Sequence, residues 1–363
     1  MVGPNGSAPA NKLIIMSRRA LTLLLAGLLV LALGVVGAFR PVPYVVLSPG
    51  PTENTIGDVE KKPVISIKGR ETYPTSGSLS LVTVAYQGGP AAQIDLLTAL
   101  RGWIDPTVAV VPEETIFAPN SDPGQVEEEN AVEMTNSQDS ATAAALTELK
   151  IPYEMVVTIV STEKGKPAEG KLRKDDQITA VDGKPAKDVD VVADMVKAHK
   201  PGEDVVFTIA RGKDKLDVTV RTVADPEGQS LVGVRMQAMY KFPFDVDINV
   251  GDVGGPSAGL MFSLGILDKL TPGELTGGKQ IAGTGTIDPK GEVGPIGGIP
   301  QKMVGARDAG ATVFLTPPDN CAEAMKSVPD GLRLVKADTL HDAVLALDAL
   351  RNGQGNVPAC AAG

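Results

Sequence analysis

Residues 20–39, Ala-Leu-Thr-Leu-Leu-Leu-Ala-Gly-Leu-Leu-Val-Leu-Ala-Leu-Gly-Val-Val-Gly-Ala-Phe, contain no charged side chain. About 20 such residues in a helix rising 1.5 Å each cross the ~30 Å hydrocarbon core of a bilayer. Lys12, Arg18 and Arg19 precede the run, which by the positive-inside rule leaves the N-terminus in the cytoplasm and sends everything after Arg40 across. Val36, Gly37 and Ala38 would pass as a small-residue signal cleavage site, but the apolar stretch exceeds the usual signal length and favours an uncleaved anchor. The expectation is a single-pass cell-membrane protein. Residues 1–19 form a cytoplasmic tail whose first ten residues are disordered, 20–39 lie in the lipid bilayer, and the remainder is extracytoplasmic.

The rest of the 363 residues suffices for two or three small domains with their own cores. A net charge of −10 argues against a nucleic-acid surface, and 4% aromatics argue against a base-stacking platform. Cys321 and Cys360 form no C-x-x-C pair, so no zinc site is expected and no cofactor is required. A disulfide between them is chemically permitted outside the cytoplasm; the sequence leaves it open.

Residues 40–149 read as a β-rich extracytoplasmic region. Strands are expected at 44–47, 64–67 and 78–86, with Ser48, Pro49, Gly50 and Pro51 as a turn and helical spacing over 90–103. Glu127, Glu128 and Glu129 mark a solvated loop or helix face, and alanine-rich 137–149 a helix. Residues 150–224 then alternate a strand at 156–160, Gly-Lys-Pro-Ala at 165–168, Ala-Val-Asp-Gly at 180–183, a helix near 189–198 and two strands about Gly212. This pattern resembles a bacterial PDZ domain. The resemblance implies binding of an extended peptide at a sheet edge, with a carboxylate cradle near 151–155, or else a structural insert that spaces or gates its neighbour.

Beyond it, Val246, Ile248 and Val250 alternate with Asp247 and Asn249, a half-buried strand. A glycine turn follows, and Leu260, Met261, Leu264 and Leu267 recur at helical spacing, so Pro256 and Ser257 are expected in the first helical turn, where free N–H groups suit an oxyanion. Gly254, Gly255 and Gly259 would let a substrate backbone approach. A serine needs a base to become a nucleophile. Downstream, Ile299, Met303 and Ala306 form the inward stripe of a short helix, and Lys302 shares it. Burial would lower the pKa of that amine and fit it for the role; a lysine snorkelling beside a helix-cap serine is the plainer alternative.

The two segments occur together: Gly-Gly-Pro-Ser-Ala-Gly (254–259), Ile-Ala-Gly-Thr-Gly-Thr-Ile (281–287), Pro-Ile-Gly-Gly-Ile-Pro-Gln-Lys (295–302) and Ala-Gly-Ala-Thr-Val-Phe-Leu-Thr-Pro-Pro-Asp-Asn (309–320). The set resembles the proteolytic domain of the Lon family over residues 240–350. It implies a Ser-Lys dyad with Ser257 as nucleophile and Lys302 as base, supported by Thr284, Gly255 and Pro256. Gly254, Thr286, Asp247 and Asn249 depart from residues common in that family. The resemblance also implies a homo-oligomeric ring as an assembly open to the chain.

Gly255, Ser257 and Gly259 satisfy G-x-S-x-G as well, with Asp308 or Asp319 and then His341 following in α/β-hydrolase order; His341, however, lies on a helical stripe. Gly273 to Lys279 approaches a phosphate loop but places Gln280 where a hydroxyl is needed. The resulting expectation is an α+β multidomain chain: N-terminal transmembrane helix, β-rich N-terminal region (40–149), PDZ-like domain (150–224), Lon-type α+β proteolytic domain (240–350) and a flexible tail (351–363). Its function is expected to be ATP-independent cleavage of polypeptide substrates. A catalytically inactive peptide-binding scaffold and a Ser-His-Asp hydrolase are the alternatives.

Overall fold

A computed structural model describes residues 18–119, 121–251 and 253–361. The first ten residues, expected to be disordered, and Lys12 lie outside the described residues. The chain divides into two units, one of residues 18–49 and 84–126, the other of 50–83 and 127–361.

The first unit opens with helix α1 (Arg18–Ala38), which buries none of its side chains and is long and apolar enough to cross a membrane. Strand Pro41–Val42 pairs antiparallel with Ile94–Asp95, and residues 44–47 pair with Ala109–Pro112. Helix α2 (Leu96–Ile104) starts at Asp95, whose carboxylate accepts the Thr98 N–H at 2.7 Å, an N-cap of the usual kind. The helical spacing expected from residue 90 is thus realised only after the cap.

In the second unit a parallel sheet runs through residues 78–81, Gln280–Gly283, Val313–Thr316 and Arg333–Lys336. Helix α3 (Pro123–Glu148) buries Met134, Ser137, Ala141, Ala144 and Ala145 and exposes the Glu127–Glu129 run. The next helix, α4 (Val189–Lys197), belongs to a separate sheet described below. Helix α5 (Gly259–Leu270) is apolar on nearly every side and accordingly buried, joining Leu79, Leu81, Ile281, Leu315 and Val335 in one core. Helix α8 (Leu340–Asn352) joins that core, whereas α6 (Ile299–Asp308) and α7 (Cys321–Ala324) pack in a second cluster with Val82, Ala282 and Phe314. Strand Asp245–Ile248 pairs with Ile65–Lys68.

Four features of the structure lie beyond what the sequence patterns give. Residues 48–51 make no turn but continue the strand Tyr44–Asn54. Prolines lack the ladder N–H, and side-chain hydroxyls bond there instead: Ser48 Oγ donates to the Ala85 carbonyl and Thr83 Oγ1 to that of Pro51. Secondly, residues 40–149 are not one region. Ile65, Leu79 and Met134 share the core of Leu260 and Leu264, so the unit containing α5 and α6 begins far upstream of residue 240.

Thirdly, the sheet of the PDZ-like residues takes in one further strand beyond 224. Its strands run in the order Asp214–Arg221, Asp204–Arg211, Gln177–Val181, Glu154–Thr162, Val234–Lys241, around a core of Val157, Ile178, Val192 and Phe207. The module is therefore an insert between α3 and strand Asp245–Ile248.

Lastly, the tail is fastened. Cys321 and Cys360 are disulfide-bonded, and the Lys336 N–H donates to the Pro358 carbonyl at 2.9 Å. With the cysteines 39 positions apart, the cross-link restricts a long loop of the unfolded chain. Reduction, or Cys360→Ser, should lower stability by about 2–4 kcal/mol. Urea melts with and without reductant measure this; coincident melts would contradict it.

Candidate active site

Ser257 lies in the turn two residues before α5 begins, just outside the helical turn expected for it. Each residue around it is held by another part of the chain. The Gly255 N–H donates to the Asn130 carbonyl at 3.1 Å, and Ser137 Oγ to the Pro256 carbonyl at 3.0 Å, so α3 fixes the approach to the serine. The Ser257 carbonyl accepts from Gly285 N at 2.9 Å and from Thr284 Oγ1 at 3.0 Å. Among the described residues, the Ser257 and Ala258 N–H groups meet no acceptor.

The glycines expected to admit a substrate divide by geometry. Gly255, at φ +87°, borders open space. A Cβ on Gly259 would stand 2.9 Å from Ile287 Cγ2, so this glycine admits the chain's own strand rather than a ligand. Gly254 likewise faces Asn130.

Lys302 projects from the first turn of α6 into the same place, and its side chain is 4% exposed. Its Nζ lies 2.8 Å from Ser257 Oγ and donates to Thr284 Oγ1 at 3.1 Å. Because Thr284 gives its own proton to the Ser257 carbonyl, its oxygen can only accept from the lysine. A neutral amine so placed spends one N–H on Thr284 and turns its lone pair toward the serine hydroxyl. Burial, with no carboxylate ion-paired to the amine among the described residues, pushes the Lys302 pKa down to about 8. The loop entering α6 is held by Asn320, whose Oδ1 accepts the Ile296 N–H at 2.9 Å while its Nδ2 donates to the Ile296 carbonyl at 2.9 Å.

Sequence reasoning missed Asn130, Ser137 and Asn320. Asn and Ser are unremarkable in a helix or loop, and only their partners give them meaning. His341, the hydrolase alternative, is an exposed α8 residue with Nδ1 2.8 Å from Glu148 Oε1; that contact raises its pKa. The titratable side chain beside Ser257 Oγ is that of Lys302. Among the described residues, no three His, Cys, Asp or Glu side chains gather as metal ligands.

If Thr284 aims the amine, Thr284→Val should lower kcat by about tenfold with little change in KM, and Thr284→Ser should restore it. Equal turnover by the valine variant would remove Thr284 from the site.

Residues 236–347 match the family model of the Lon protease (S16) C-terminal proteolytic domain, and residues 130–222 that of the PDZ domain. Lon protease 1 of Bacillus subtilis is 30% identical over 116 residues, 31% of this chain and 15% of that protein. Lon protease 2 of Herpetosiphon aurantiacus is 37% identical over 93 residues, 24% of this chain and 11% of that protein. The chain thus spans less than a sixth of the length of these relatives. Among solved structures, the PDZ domain of an SdrC-like protein from Listeria innocua is similar at 25% identity, covering 23% of this chain and 93% of that one with a TM-score of 0.22. The chain carries a PDZ domain and a proteolytic domain of the Lon type.

Proposed function

We propose that the protein is a membrane-anchored serine endopeptidase that cleaves extracytoplasmic polypeptides through Ser257 and Lys302 without consuming ATP. The observation that carries this reading is the 2.8 Å approach of a buried lysine amine to a serine hydroxyl. Neutral Lys302 takes the Ser257 proton as Oγ attacks the peptide carbonyl, and the N–H groups of Ser257 and Ala258 receive the oxyanion. The ammonium then protonates the leaving amine, which departs and leaves an ester on Oγ. Water attacks that ester, gives its proton to Lys302, and the acid product leaves as Ser257 recovers its hydrogen.

Three features support the finer points. Helix α1 has the length and apolarity of a bilayer span. The Cys321–Cys360 disulfide suits an oxidising compartment. Gly277, in the stretch nearest to a phosphate loop, is packed against the Arg351 side chain, which would meet a Cβ there at 2.8 Å.

The PDZ module supplies a peptide seat, and its geometry favours a place other than 151–155. Val234–Lys241 is one of the two outer strands of the sheet, and α4 lies along it, with Ser230 Oγ donating to the His199 carbonyl at 2.7 Å where the helix ends. A peptide would add as a further strand between this edge and α4, near Val234 and Met236.

Incubating the full chain with an unfolded polypeptide, with and without ATP, and separate samples with a fluorophosphonate probe tests the proposal. Labelling of Ser257 and equal cleavage under both conditions are expected. Absence of labelling would leave the peptide-binding scaffold, and cleavage only with ATP would refute nucleotide independence.

A further inference from the structure

Helix α2 carries large apolar side chains on an exposed face. Ala99 and Gly102 face inward, where a Cβ on Gly102 would meet Val110 Cγ2 at 2.6 Å. On the opposite side Leu100, Trp103 and Ile104, at i, i+3 and i+4, form one stripe, and the last two are 54% and 83% exposed. The Trp103 ring is held edge-on to Tyr44 with centroids 5.7 Å apart, so the exposure belongs to a positioned ring. Soluble surfaces seldom carry such a contiguous group.

Its position within the first unit identifies what covers it. The Leu96 N–H donates to the Arg40 carbonyl at 3.0 Å, so α2 starts within one hydrogen bond of the residue two places beyond the end of α1. Phe39, between them, is 63% exposed. From Leu96 to Ile104 the helix advances only about 12 Å, keeping the whole stripe next to the exit of the span. Arg40 and Arg101 flank it, as cations flank aromatic rings at lipid headgroup level.

We infer that the Leu100–Trp103–Ile104 face of α2, with Phe39, is an interfacial anchor that sinks into the headgroup–acyl boundary of the bilayer that α1 spans. This inference rests on the membrane-anchored reading of α1. A Trp, Leu and Ile face backed by a rigid helix is the composition that partitions there, typically about 5–10 Å deep. Two attachments in one unit, the span and the stripe, restrict its rotation about α1.

Trp103 is the only tryptophan in the chain, so its fluorescence reports this face alone. The full chain is reconstituted into phosphatidylcholine vesicles, checked by flotation, and titrated with acyl-brominated lipid and, separately, with aqueous iodide. The expected result is blue-shifted emission, at least twofold quenching by brominated lipid and little by iodide. In Leu100→Gln/Ile104→Gln the lipid quenching should fall by half or more while probe labelling of Ser257 is unchanged. A chain that floats with the vesicles yet shows iodide-accessible, lipid-insensitive Trp103 overturns the inference and leaves the span standing. Protection from iodide that depends on protein density without lipid quenching overturns it in favour of a second copy. A chain that does not float removes the span and this inference together.

Discussion

Ser257→Ala should abolish fluorophosphonate labelling and polypeptide cleavage, and Lys302→Met should reduce both by about 10²–10⁴ while leaving the fold intact. The two losses have different causes. Without Oγ no acyl-enzyme forms. Without the amine the hydroxyl keeps its proton, near the ordinary alcohol range, and attacks only through its minute ionised fraction. The fold should tolerate the methionine because Lys302 sits among Ile299, Met303 and Ala306 with nothing charged to pair with, and a thioether chain of similar length fills the same space. The double variant should be no worse than Ser257→Ala alone, since both residues serve one proton transfer. A Lys302→Met protein that still labels at more than a tenth of the wild-type rate would mean that another base serves Ser257.

The meeting of Ser257 and Lys302 was legible because both of its signals are local. Gly-Gly-Pro-Ser ahead of an apolar helix and a lysine on an inward stripe each break a rule of surface patterning within a dozen residues. What supports the dyad was not legible. Residues 78–81 pair with Gln280–Gly283 from some 200 positions away, and Ser78 Oγ donates to Gln280 Oε1 at 2.7 Å. No period in either segment announces the other. The first turns of α3 are mostly polar and carry the Glu127–Glu129 run, so they show no clear apolar stripe; the later turns bury Ser137 and Ala141 against the loop that carries Ser257 and against α5. The outer strand Val234–Lys241 went unnoticed for a related reason, since it completes a sheet begun about 80 residues earlier, on the far side of an intervening helix. Strand pairing, rather than chain order, joins these segments, and a linear pattern does not carry it.

Turnover should rise about tenfold per pH unit below pH 8 and level off above it, while the stability of the wild-type protein moves in a way few active-site residues allow. Lys302 acts as a base only when neutral, and burial places its pKa at about 8, so at pH 6 about one molecule in a hundred carries the competent amine. For stability the sign is set by the same displacement. In the unfolded chain the amine titrates near 10.5, in the folded protein near 8. Below pH 8 both states are protonated and the folded protein bears the full cost of a buried ammonium, roughly 3 kcal/mol. Between 8 and 10.5 the unfolded chain holds the extra proton, so stability rises with pH; beyond 10.5 the penalty is gone. Lys302→Met removes the titrating group. At pH 7 it should therefore be more stable than wild type by roughly that amount, a gain in stability at the expense of activity, and the difference should vanish by pH 10.5. Urea denaturation of the two proteins across this range isolates the lysine, because every other ionisable group is common to both. A stability difference independent of pH would show that the amine is not held neutral by burial, and a turnover profile flat from pH 5 to 9 would remove Lys302 as the base.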